Sequence, residues 1–185
     1  MTEKLHDLLV ADDIKYVHLA FVMIKGNPHL ITKDIIPYLK IYPWMCLEYG
    51  ILMEDYKKES SIYLTNSNNS CLPDRLFDLT NITELYLYHN QISELPKSLL
   101  KLHKLHKLSL SGNLIYDLPN WIIDLKYLKV LDISNNPLPD IPQVLFNNHN
   151  LTEIILPKGL RYSFHVHVID KPSIRTKLEQ IFKFT

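Results

Sequence analysis

The side chains able to do chemistry are few and thinly spread. His165 and His167, in Phe164-His165-Val166-His167-Val168, stand two apart, so on an extended strand they share a face and could bind a metal. No third ligand accompanies them, and the pattern reads instead as two histidines on the exposed face of an edge strand. His103 and His106 lie in Lys101-Leu102-His103-Lys104-Leu105-His106-Lys107, whose charged positions read as a solvated face. Cys46, between Met45 and Leu47, and Cys71, before Leu72-Pro73, read as buried and inert, since a nucleophilic thiol needs a base beside it. The patterns GxSxG, HExxH, GxGxxG and the P-loop do not occur, and four glycines leave little material for a phosphate-cradling loop. The expectation is no catalytic residue, no cofactor and no metal. A small metal-dependent or thiol enzyme using His165, His167 or Cys46 ranks last among the functional readings.

Composition narrows the elements that could position any site. A chain of 185 residues fits one domain or one solenoid with end caps, and 46% hydrophobic residues supply a sizeable core. The 20 basic and 20 acidic residues cancel, which argues against nucleic-acid binding by bulk charge but leaves a local patch open. Two cysteines 25 residues apart, an N-terminus with early acids and no signal-peptide pattern, and no apolar run near the ~20 residues that span a bilayer predict a cytoplasmic protein with no membrane partner.

The dominant signal is internal repetition. Ile82-x-x-Leu85-x-Leu87-x-x-Asn90-x-Ile92 recurs as Leu105-x-x-Leu108-x-Leu110-x-x-Asn113-x-Ile115 and as Leu128-x-x-Leu131-x-Ile133-x-x-Asn136-x-Leu138, at a spacing of 23 residues. Each copy is followed by Leu95-Pro96, Leu118-Pro119 or Ile141-Pro142. Worn copies flank these at Ile62, Leu64 and Leu72-Pro73, and at Leu151, Ile154 and Leu156. The alternation about the middle leucines predicts a short strand with one face inward, which can be buried only by stacking the next copy against it. An Asn at the strand end carries donor and acceptor together and can satisfy backbone groups where the chain bends. Asn90, Asn113 and Asn136 are therefore expected to be structural.

This pattern resembles the leucine-rich repeat family in its 23-residue form, of the bacterial cytoplasmic type, over about 100 residues. The resemblance implies an α/β solenoid: a right-handed superhelix with a parallel sheet on its concave side. Residues 59–158 would form about five repeats, the terminal ones degenerate.

Residues 1–58 would be a helical N-terminal capping region and 159–185 a C-terminal cap. Asp13 can cap a helix with Ile14, Val17, Phe21 and Ile24 on one face, ending at Gly26-Asn27-Pro28. The run from Ile14 through Leu19-Ala20 to Ile24-Lys25-Gly26 is similar to a helical element on the N-terminal side of some bacterial leucine-rich repeat proteins. Further helices are predicted from Thr32 or Asp34, with Pro37 in the first turn, and from Pro43 to Gly50. Tyr162–Ile169 alternates as a strand, and Pro172–Phe184 reads as a helix with Ile174, Leu178 and Ile181 on one face.

The family generally uses the outward strand positions to hold other proteins. Carried onto this chain, that face comprises Tyr63, Glu84, Tyr86, Tyr88, His89, Lys107, Ser109, Ser111, Asp132 and Ser134 as expected partner contacts. Tyr63, Tyr86, Tyr88 and His89 make an aromatic half, because a large apolar ring with a hydrogen-bonding tip suits interfaces. The serines and Asp132 make a small, polar half. The implied function is non-enzymatic binding of a protein or peptide, as adaptor, scaffold or inhibitor. The alternative is nucleic-acid or acidic-partner binding through residues 159–185, where five basic residues meet two acidic ones, together with the Lys101 to Lys107 run. Nucleic acid is the lesser of the two expectations, and oligomeric state is open.

Overall fold

The computed structural model describes residues 2–147, 150–158, 160 and 182–184. The chain divides into two compact units, Met1–Lys58 with Pro73–Leu79, and Glu59–Leu72 with Thr80–Thr185.

The first unit is helical: α1 (Thr2–Leu9), α2 (Ile14–Gly26), α3 (Ile36–Leu39), α4 (Pro43–Tyr49) and α5 (Met53–Tyr56). Asp13 has extended backbone angles and its carboxylate accepts from the Lys15 N–H at 2.9 Å, which starts α2 where a cap was expected. Val17, Ala20, Phe21 and Ile24 are buried on one stripe. Ile14 is not; it is 59% exposed, because Ala20 completes the stripe and Ile14 begins the helix at its margin. The core joins these residues to Leu5, Leu9, Leu30, Ile35, Leu39, Cys46 and Ile51. Thr32 O accepts from the Ile35 and Ile36 N–H groups and leads into α3, with Pro37 in its first turn. Gly50 ends α4 at φ 72°, and a Cβ there would meet Arg75 Nε at 2.7 Å. Arg75 in turn donates to Glu48 O at 2.7 Å, so this glycine answers both a left-handed turn and a close approach. Burial pushes the Cys46 thiol up to about 12, and it donates to Leu39 O at 3.2 Å. Cys71, expected buried, is exposed.

Among the described residues, the second unit is a parallel sheet of six strands in chain order: β1 (Ser61–Tyr63), β2 (Glu84–Tyr86), β3 (Lys107–Ser109), β4 (Val130–Asp132), β5 (Glu153–Leu156) and β6 (Phe182–Phe184). The register from β1 to β5 is a 23-residue step, which places Ile62, Leu85, Leu108, Leu131 and Ile154 side by side in a buried row. Each of β1 to β4 leads through a Leu-Pro or Ile-Pro pair into a five-residue 3-10 turn: Asp74–Asp78, Lys97–Lys101, Asn120–Asp124 and Gln143–Asn147. Pro73, Pro96 and Pro119 are extended, and precede these turns without needing the N–H they lack.

The strand-end asparagines form a ladder. Asn113 Oδ1 accepts from Ile92 N at 3.0 Å, while Nδ2 donates to Leu87 O and Leu110 O at 2.9 Å each. Asn136 repeats this with Ile115 N, Leu110 O and Ile133 O, and Asn90 with Ser67 N, Leu64 O and Leu87 O. All three are at most 7% exposed, so each amide satisfies backbone groups that water does not reach.

Two expectations at the C-terminal end need correction or fall outside. The sheet has a sixth strand where the helix to Phe184 was expected: residues 182–184 pair in parallel with β5, through Ile154–Phe182 to Leu156–Phe184. The hydrogen-bonding edge of β5 outweighs a weak helical periodicity there. The strand expected at Tyr162–Ile169, with His165 and His167, and the rest of the helix from Pro172 lie outside the described residues.

Candidate functional site

Alternation along each strand puts Leu85 and its equivalents inward and the residues on either side outward. The register then lays Tyr63, Tyr86, Ser109, Asp132 and Ile155 in one row and Ser61, Glu84, Lys107, Val130 and Glu153 in the next.

Four of the expected contacts come together at the start of this face. The Tyr63 and Tyr86 rings stack with centroids 4.5 Å apart and planes 2° from parallel. Lys107 Nζ lies 5.0 Å from the Tyr86 centroid, a cation–π distance. Tyr86 Oη donates to Glu84 Oε2 at 2.9 Å, and Ser61 Oγ donates to the same oxygen at 3.2 Å. Hydrogen bonding to Tyr86 is the main reason that the Lys107 ammonium is held above its ordinary range. Burial is the main reason that the Tyr86 phenol is pushed up, so both keep their protons at neutral pH. Tyr63 is 52% exposed, which leaves the stack an accessible ring.

A second group forms around Asp132. Its Oδ1 accepts from Ser134 Oγ at 2.7 Å and from Ser134 N at 3.0 Å, and its Oδ2 accepts from Ser109 Oγ at 3.2 Å. Ser134 Oγ and Ser111 Oγ are 2.8 Å apart, and Asn135 Nδ2 donates to Ser111 Oγ at 3.3 Å. Ser109 and Ser134 are only 5% and 4% exposed, so the expectation that they offer adaptable surface contacts is corrected. Short side chains between longer neighbours are covered, and these two serve to fix the Asp132 carboxylate.

The remaining two, Tyr88 and His89, meet edge to face at 5.6 Å at the strand end, apart from the first cluster. His89 belongs to a column at the strand ends that repeats every 23 residues. Asn66, His89, Gly112 and Asn135 all have positive φ, between 54° and 66°. A Cβ on Gly112 would lie 2.6 Å from His89 Nδ1, so the glycine makes room for the imidazole. The signal was the 23-residue spacing of two asparagines and a glycine, residue types that tolerate this conformation. Ser61, which shares the outward row with Glu84 but is not among the expected contacts, joins the cluster through its register opposite Glu84.

Elsewhere, His103 and His106 are exposed, as expected, and Trp121 is half-buried. Among the described residues no group of three or more His, Cys, Asp or Glu is placed to hold a metal ion, and no helix is long and apolar enough to cross a membrane.

Residues 80–126 match the family described as Leucine Rich repeats (2 copies), and residues 127–149 match Leucine Rich Repeat. No curated protein sequence matches the chain. Among similar solved structures is the leucine-rich repeat domain of the type III effector XopL, with 27% identity and a TM-score of 0.50. The match covers 59% of this chain and 40% of that one, so the chain spans well under half of its length. The fold of that domain, the two family matches, the parallel sheet and the asparagine ladder agree: the chain is a leucine-rich repeat protein, built on a fold that generally serves non-enzymatic interaction.

Proposed function

We propose that the outward sheet face binds a protein or peptide partner, with Tyr63, Glu84, Tyr86 and Lys107 as the energetic centre. The observation that carries this reading is the pre-formed stack of two tyrosines with a lysine against the second. Rings already held in place lose little side-chain freedom on association, and aromatic anchors dominate many interfaces. Six strands at ~4.8 Å spacing make a sheet about 24 Å across, which suits one helix, loop or peptide. In this reading Asp132 and Ser111 receive polar groups of the partner, while Ser109 and Ser134 hold Asp132 in place. Tyr88 and His89 line the far margin. The role is that of an adaptor, scaffold or inhibitor in a reducing cytoplasm, a setting supported by two unpaired cysteines.

The test is affinity capture from native lysate, followed by direct titration of the captured protein against wild type and Tyr63→Ala/Tyr86→Ala. The expected result is at least a tenfold loss of affinity in a variant that melts as one folded species. Unchanged affinity would place binding off this face.

A further inference from the structure

The net charge of zero conceals a segregation that topology imposes. In a parallel sheet every strand begins on one edge and ends on the other, so each edge collects the turns of all repeats. The turns that leave the strands carry Glu94, Asp117 and Asp140, in step at 23 residues. The turns that enter β3 and β4 carry Lys101, Lys104, Lys126 and Lys129, all exposed, with Asp124 as the acid alongside them. Among the described residues none of these four lysines forms an ion pair; Lys104 Nζ donates to the neutral Asn81 Oδ1 at 2.8 Å.

Amid the lysines stands an aromatic platform. His106 Nδ1 donates to Lys104 O at 2.6 Å, which anchors the imidazole, and Tyr127 stacks on it at 6.0 Å with planes 30° apart. Tyr127 is 57% exposed, so a large ring is open to solvent between unneutralised cations. Lysines alone would suit any polyanion. An anchored, exposed aromatic stack among them favours one whose anionic backbone carries flat bases.

We propose that this edge binds single-stranded nucleic acid, with Lys101, Lys104, Lys126 and Lys129 contacting phosphates and the Tyr127–His106 stack receiving a base. The site is separate from the sheet face and stands whether or not a protein binds there.

The experiment is fluorescence anisotropy with the full chain and a labelled 12-nucleotide RNA of mixed sequence, with the DNA equivalent run in parallel. An acidic 12-residue peptide serves as competitor, and salt is varied from 50 to 200 mM. Four phosphate contacts predict a slope of log affinity against log salt of about −3. Lys104→Glu/Lys129→Glu should weaken binding at least tenfold, and Tyr127→Ala at least about fivefold, with unchanged circular dichroism. A preference for RNA over DNA would assign the strand type; equal binding would assign the shared backbone and bases. No binding at 50 mM salt, equal displacement by the acidic peptide, or full affinity in Tyr127→Ala would each overturn the proposal.

Discussion

Replacing Asn113 by Ala removes one buried amide, strands the Ile92 N–H, and leaves the carbonyls of Leu87 and Leu110 with one amide donor each, from Asn90 and Asn136, in place of two. Each buried group left unpaired costs about 1–3 kcal/mol. One N–H is stranded and two carbonyls each lose a second donor, so the expected loss is about 2–3 kcal/mol, a sizeable part of the ~5–15 kcal/mol that holds a typical domain. The site is central, with β2 on one side and β4 on the other, so the array has no end at which to fray away the defect. Urea denaturation followed by circular dichroism measures it, with Tyr86→Ala beside it. That change loses a ring stack and one hydrogen bond on a half-exposed side chain and should cost about 1 kcal/mol. Asn113→Asp separates donor from acceptor: it keeps an oxygen for Ile92 N–H but turns a charge toward two carbonyls, and should destabilise at least as much as Ala. A loss below about 1 kcal/mol for Asn113→Ala, or a milder effect of Asp than of Ala, would refute the argument that the amide is a three-way backbone bond.

Gly112→Ala should cost about 1–2 kcal/mol, because its φ of 66° is left-handed and its Cβ would press on His89; adding His89→Ala should restore only the steric share, as urea titrations of the two would reveal. A thiol reagent at pH 8 should react quickly with Cys71 and slowly with Cys46 in the native protein, and with both in guanidinium; two fast thiols in the native state would contradict the burial of Cys46. The same burial raises the Cys46 pKa from 9.0 to about 12 in the folded state, so the folded chain keeps a proton there that the unfolded chain releases. Stability contributed by that site is full below pH 9 and falls as pH rises toward 12, and Cys46→Ala should flatten that part of the pH profile.

The repeat register, the inward leucines and the role of Asn90, Asn113 and Asn136 were legible because each is periodic, and a period names partners as well as positions. The outward rows were legible for the same reason, down to Tyr63 opposite Tyr86. Depth was not. Alternation says which way Ser109 and Ser134 face, but how much of a short side chain remains uncovered depends on the length of its neighbours. The exposure of Cys71 and Ile14 was hidden similarly, since each sits at the boundary of a buried stripe. Residues 182–184 pair as a strand because β5 offers an unpaired edge, and no local pattern in three residues announces that. The left-handed column was half visible: Asn66, Gly112 and Asn135 favour it, while His89 adopts it because its neighbours in the stack do.

Since every inter-strand partner from β1 to β5 is 23 residues away, the array can change length by splicing. Deleting residues 94–116 would join Ser93 to Asp117 and leave the phase intact, with Leu85 facing Leu131 and the Ile92 N–H offered to Asn136. Tyr86 would then lie beside Asp132 in place of Ser109, with Lys107 gone from the ring. Duplication of the same segment would insert another serine and lysine into the rows. Gain and loss of whole units thus rewrites the surface text while the grammar beneath it stays fixed, so recombination, as much as point substitution, can retarget such a chain.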